Sequence, residues 1–132
     1  MRSDAEVMLN EIGTYLQAQG IGTVGVDIFL GLLPDQPDNC IALFEYAGSP
    51  PDLHWEGEYP GLQVRVRNKS YSSGRAEIGQ ILKLLHGLHE TTLSGTRYLL
   101  IKARGTPEVL KRDASNRIEW FVNFEIIKES DG

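Results

Sequence analysis

The sequence holds one cysteine, Cys40, in 132 residues. It can form no internal disulfide, so its stability has to come from a packed core, and a chain of this length can bury one. A single thiol is also the usage expected of a reducing compartment. Basic residues are nearly missing from the first half. Residues 1–60 hold Arg2 alone against ten acidic residues, a net of −9, while residues 61–132 hold twelve basic and eight acidic, a net of +4. The total of −5 argues against a general nucleic-acid binder. Long apolar runs are missing too. None approaches the ~18 residues of a membrane span, and the N-terminus turns acidic at Asp4 with no signal-like apolar stretch. The expectation is a protein made in a cytoplasm, with no membrane partner.

What is present reads as one globular domain over residues 1–132: hydrophobic residues are 41% and charged residues 23% of the chain. Asp4 is placed to cap a first helix, in which Ala5, Met8, Leu9, Ile12, Tyr15, Leu16 and Gln19 follow helical spacing. Gly20 and Gly22 end it. Residues 24–33 read as a strand stopped by Pro34, the cluster Pro34–Asn39 as a turn, and Cys40–Tyr46 as a second strand. Residues 48–61 carry Pro50, Pro51, Pro60 and three glycines, which predicts an exposed loop unable to pair inside a sheet. Leu62, Val64 and Val66 alternate strictly with Gln63, Arg65 and Arg67, the pattern of a half-buried strand. A second helix is capped by Ser72 or Ser73, buries Ile78, Ile81, Leu82, Leu85 and Leu88, and ends near His89. Strands follow at 96–104 and 117–127. The latter buries Ile118, Trp120, Val122, Phe124 and Ile126, and a turn at Asp113–Asn116 makes a hairpin with Lys111 and Arg112. The fold class is α+β: two amphipathic helices on one face of a mostly antiparallel mixed sheet of about five to six strands.

Patterns that could carry chemistry fail on context. Gly20-Ile21-Gly22-Thr23-Val24-Gly25 spells G-x-G-x-x-G, but it closes a helix and opens a strand, so it presents the negative helix end to a pyrophosphate. His86 and His89 share helical i,i+3 spacing, yet no motif links them to further ligands such as His54. Cys40 opens an apolar strand without a nucleophile signature, and Glu56 and Glu58 sit in the proline-rich segment, where acid–base geometry cannot be held. Asn68-Lys69-Ser70 matches a glycosylation acceptor, but nothing in the sequence directs the chain to that machinery. No catalytic, cofactor-binding or metal-ligating set emerges. Two candidate surfaces do. Arg65, Arg67, Lys69 and Arg75 form a basic cluster, with Tyr71 nearby, that is either a solvated sheet face or a surface for an acidic protein or phosphate. Asp52, Trp55, Glu56, Glu58 and Tyr59 form an acidic, aromatic loop whose residue types suit a partner contact. The unequal charge of the two halves allows either mixing on one surface or an acidic part of one copy facing a basic part of the next.

Several segments, taken in order, resemble a known family: Asp27–Gly31 with Leu33-Pro34, Pro37–Ala42, Glu45-Tyr46 with Gly48–Pro51, Pro60–Arg67, Leu85–Gly87, Gly95–Tyr98, Arg112-Asp113 and Val122–Glu125. The chain resembles the small minor capsid proteins of tailed bacteriophages, which are similar to tail terminator and tail completion subunits. The resemblance implies a virion structural protein of the neck, at the head–tail junction. It implies a homo-oligomer, a hexameric ring, that caps the tail tube protein and joins it to head connector or completion proteins. It implies that DNA passes through the ring without specific binding, and it makes Arg65, Arg67, Lys69 and Tyr71 candidates for a subunit or tail-tube contact and Asp52, Trp55, Glu56, Glu58 and Tyr59 candidates for a loop contact or the lumen. It implies no enzyme activity and no cofactor. Another neck subunit and a monomeric, prophage-encoded adaptor are the alternative readings.

Overall fold

The computed structural model describes residues 4–51 and 53–130, with side chains from residue 7 onward. The proposed Asp4 cap and the place of Ala5 on the apolar stripe depend on side chains outside those described, and Asp52 of the loop lies outside the described residues. Helix α1 (Asp4–Ala18) buries Met8, Leu9, Ile12 and Leu16 along one stripe. It stops as the glycines predict. Gly20, at φ +82°, donates to the Gln17 carbonyl and Ile21 to the Leu16 carbonyl, the two reverse bonds of a Schellman end.

The strand expected over residues 24–33 is reduced to β1 (Ile28–Leu30). Local hydrogen bonds take the preceding segment. The Thr23 carbonyl accepts from Val26, Asp27 and Ile28, and the Asp27 carboxylate accepts from the Thr23 amide at 2.6 Å. A short polar side chain that bonds its own backbone competes with a sheet ladder.

The proline-rich segment is also shorter than its composition suggests. Strand β2 (Cys40–Ser49) and strand β3 (Gly57–Asn68) both enter it, leaving residues 50–56 between them. Pro60 lies within β3 and corrects the expectation that this stretch stays out of the sheet. Pairing of β2 with β3 slips by one residue between Tyr46↔Gly61 and Ser49↔Tyr59, and Pro60 occupies the irregularity, where its missing donor breaks no ladder bond. The approach there is close: a Cβ on Gly48 would lie 1.8 Å from the Tyr59 carbonyl oxygen.

Helix α2 (Tyr71–Leu85) begins earlier than expected. Ser70 is its cap, the hydroxyl accepting from the Ser73 amide at 3.2 Å. The helix ends before His86. Residues 89–93, to which the sequence assigned no strand, form strand β4 (His89–Leu93), joined to β5 (Thr96–Ala103) through Ser94-Gly95, both at positive φ. Strands β6 (Glu108–Arg112) and β7 (Ile118–Glu129) make the hairpin that the Asp113–Asn116 turn predicts.

The result is an α+β fold with a mixed seven-stranded sheet in the order β1-β2-β3-β7-β5-β4, β6 pairing with β7. Only β1 and β2 run parallel among the named strand pairs. Leu62, Val64 and Val66 of β3 and the alternate residues Ile118 to Ile126 of β7 meet the helix residues Met8, Ile12, Leu16, Ile78, Ile81 and Leu85 in one apolar cluster. At ~25 cal/mol per Å² of apolar surface, this burial is the main favourable contribution to the fold. One buried polar contact crosses it: Glu11 of α1, 4% exposed, accepts hydrogen bonds from the hydroxyls of Thr96 at 2.6 Å and Tyr98 at 2.8 Å.

Candidate functional site

The four candidates for a subunit or tail-tube contact do not share one environment. Arg65 lies over the Phe44 ring, 4.8 Å from its centroid, and donates to Gln63 at 2.7 Å. Arg67 is on the same strand and only 3% exposed. Its guanidinium donates to the carbonyls of Pro34, Asp35, Pro37 and Asp38. The alternation in β3 puts Arg67 opposite the apolar cluster, as read, but the 34–39 turn folds over it and removes it from the surface. Lys69 is exposed and pairs with Asp38 at 3.3 Å. Tyr71 is 56% exposed and meets the Trp120 ring edge-on, centroids 4.8 Å apart.

A residue that the sequence did not single out completes this arrangement. Arg117 is 5% exposed and binds Asp113 at 2.7 Å, the Asp35 carboxylate at 3.0 Å and Asp38 at 3.3 Å. It also donates to the Asp35 carbonyl. The signal available was Asp113 and Arg117 flanking the hairpin turn; the partners at Asp35 and Asp38 are about eighty positions away and carry no local signature. Hydrogen bonding from Lys69 holds the Asp38 carboxyl below its ordinary range, and the Arg117 amide does the same for Asp113.

The acidic loop divides in the same way. Glu58 lies in β3 and pairs at 2.8 Å with Lys128, itself 2% exposed. Tyr59 accepts a hydrogen bond at its hydroxyl from the Trp55 indole at 3.1 Å, their rings edge to face. The Glu56 carbonyl accepts from the Ser130 amide. At the tip, Trp55 is 37% exposed and Leu53 94% exposed, while the Glu56 side chain faces solvent. The acidic and basic halves of the sequence thus meet inside one chain, through Asp35 and Asp38 with Arg117, Asp38 with Lys69, and Glu58 with Lys128.

The residues weighed for chemistry are dispersed. Cys40 is buried and burial pushes its thiol up, away from the reactive thiolate. His86 follows α2 and accepts from the Ala103 amide at 2.9 Å, whereas His89 opens β4, so the helical spacing between them does not exist. Among the described residues, no three metal-ligating side chains converge.

The profile of a family described as bacteriophage tail terminator protein matches residues 15–130, and the chain belongs to that family. No curated protein matches it. Among solved structures, a chain from the virion of a native gene transfer agent particle has the same fold. It superposes with a TM-score of 0.69 at 14% identity, over 97% of this chain and 100% of that one.

Proposed function

We propose that the protein is a tail terminator subunit in the neck of a tailed-phage virion. Copies of it close into a hexameric ring that caps the tail tube and joins it to the head connector. The observation that carries this reading is the family match across nearly the whole chain. The chemistry of the chain is consistent with it. The buried cations Arg67, Arg117 and Lys128 are spent on holding loops and carboxylates of their own subunit, an architectural use rather than a catalytic one. Both helices serve as backing for the sheet. A subunit of net charge −5 suits a channel that DNA crosses without being held. Arg65, Lys69 and Tyr71 remain available for a subunit or tube contact, and the 50–56 tip for a second.

The test adds purified protein to tails assembled without it and images their ends by electron microscopy. A six-fold ring at one end, followed by joining to heads, is the expected result. Tails that stay uncapped while binding single copies would mean a monomeric adaptor. Capping of heads rather than tails would mean a different neck subunit.

A further inference from the structure

Two surface features of this chain are complementary to one another. The first is the 50–56 tip. Leu53 is 94% exposed, an unusual position for a leucine, and the sequence around it is acidic, with Asp52 and the solvent-facing Glu56. The second is a groove of about 730 Å³ along the outer side of α2. Tyr71, Arg75, Gly79 and Lys83 line it at four-residue intervals, which is one row of a helix surface.

Gly79 is the telling residue. A glycine inside a helix costs about 1 kcal/mol relative to alanine. Gly74 on the same helix has an internal reason, since a Cβ there would crowd Asn68 and the Trp120 indole at 3.1 Å. Gly79 has none: a Cβ would approach only the Arg75 guanidinium, the movable end of a flexible side chain, at 2.9 Å. The space beside it is shared with the movable Arg75 side chain, on the side of the helix that lines the groove. Tyr71, propped against Trp120, walls one end of this notch, and the groove is basic, with Arg75 and Lys83.

We infer that Leu53 of one copy seats in the Gly79 notch of the next, with the solvent-facing Glu56 against Arg75 and Lys83. The two surfaces are different patches of the same chain, so the contact is head-to-tail. A repeated head-to-tail contact closes into a ring or runs on as a filament. This contact rests on the ring reading above and gives it a specific joint.

The experiment is cross-linking at single sites. Leu53→Cys and Gly79→Cys chains are mixed and oxidised; Cys40, 2% exposed, stays out of the reaction. The expected product is a covalent dimer from the mixture, and a ladder of higher species from the double variant. In parallel, Gly79→Leu fills the notch with a better helix former, so its melting temperature should match or exceed that of the parent. Its self-association, read by light scattering and by capping of tails, should fall roughly tenfold or more, the scale of losing an interface anchor. Rings that persist without the cross-link, and in Gly79→Leu, would overturn this joint and leave the ring reading standing. A parent chain that forms no ring at high concentration or on tail ends would overturn both.

Discussion

Two segments of this protein look alike in sequence and behave differently in the structure. Pro34–Asn39 and residues 50–56 each combine prolines with acidic residues between strands. The first is held by two buried guanidinium groups: Arg67 donates to four of its carbonyls, and Arg117 binds Asp35 and Asp38. The second has its base secured, by Lys128 with Glu58 and by the Glu56 carbonyl with Ser130, while its tip carries Leu53 into solvent. The rigidity of a proline-rich loop is therefore decided by which buried donors satisfy its backbone, more than by the prolines themselves.

Substitutions can test that contrast directly, and the greatest loss is expected at the first segment. Arg67→Met leaves several carbonyls beneath the 34–39 turn without donors. Chemical denaturation should show a loss of about 3 kcal/mol, the scale of breaking a buried charged network. A change under 0.5 kcal/mol would mean that water replaces the guanidinium and the turn is not held by it. Lys128→Met at the base of the second segment should cost less, roughly 1–2 kcal/mol, because its Glu58 partner can turn toward solvent. A loss equal to that of Arg67→Met would erase the distinction between the segments.

Acid should act on the first segment before the second. The Asp38 and Asp113 carboxyls are held below their ordinary value of 3.8 by Lys69 and by Arg117 respectively. A carboxyl whose pKa is lower in the folded state contributes stability above its unfolded pKa, and that contribution is lost as pH falls through the folded pKa. Protection of the amides at residues 34–39, taken relative to their intrinsic exchange rates, should therefore fall as pH drops below about 4, measured against residues 50–56 in the same sample. Equal loss of protection in both segments would point to global acid unfolding. The smallest effect is expected at the loop tip. Leu53→Ser removes a side chain that is already solvated, so thermal unfolding should shift by less than what 0.5 kcal/mol produces, roughly 2 °C for a chain of this size. A larger drop would show that Leu53 packs within its own subunit.

Much of the fold was legible because apolar periodicity is a local property. Leu62, Val64 and Val66 and the run Ile118–Ile126 announce strands with one buried face, and Met8, Ile12 and Leu16 announce a helix with one buried stripe. The site was less legible. Alternation says that Arg67 lies opposite Val66, but it cannot say that a turn about thirty residues earlier will cover that side. Strand β4 was missed because His89–Leu93 has a single apolar residue; its partner Thr96–Ala103 supplies the reason to extend, through a Ser94-Gly95 turn. Pro60 was misplaced because a proline excludes a ladder bond but not a bulge.

The sequence by itself determined the α+β class, the main helices and strands, and the end of α1 at Gly20, because these follow from short-range spacing and from the steric rules of glycine and proline. Only the tertiary structure decided which charges are structural. Arg67, Arg117, Lys128 and Glu11 each find partners 29 to 87 positions away, apart from Asp113 beside Arg117 and the Glu129 carbonyl beside Lys128. The worth of a charged group depends on its burial and on those partners, and neither exists until the sheet has brought distant segments together.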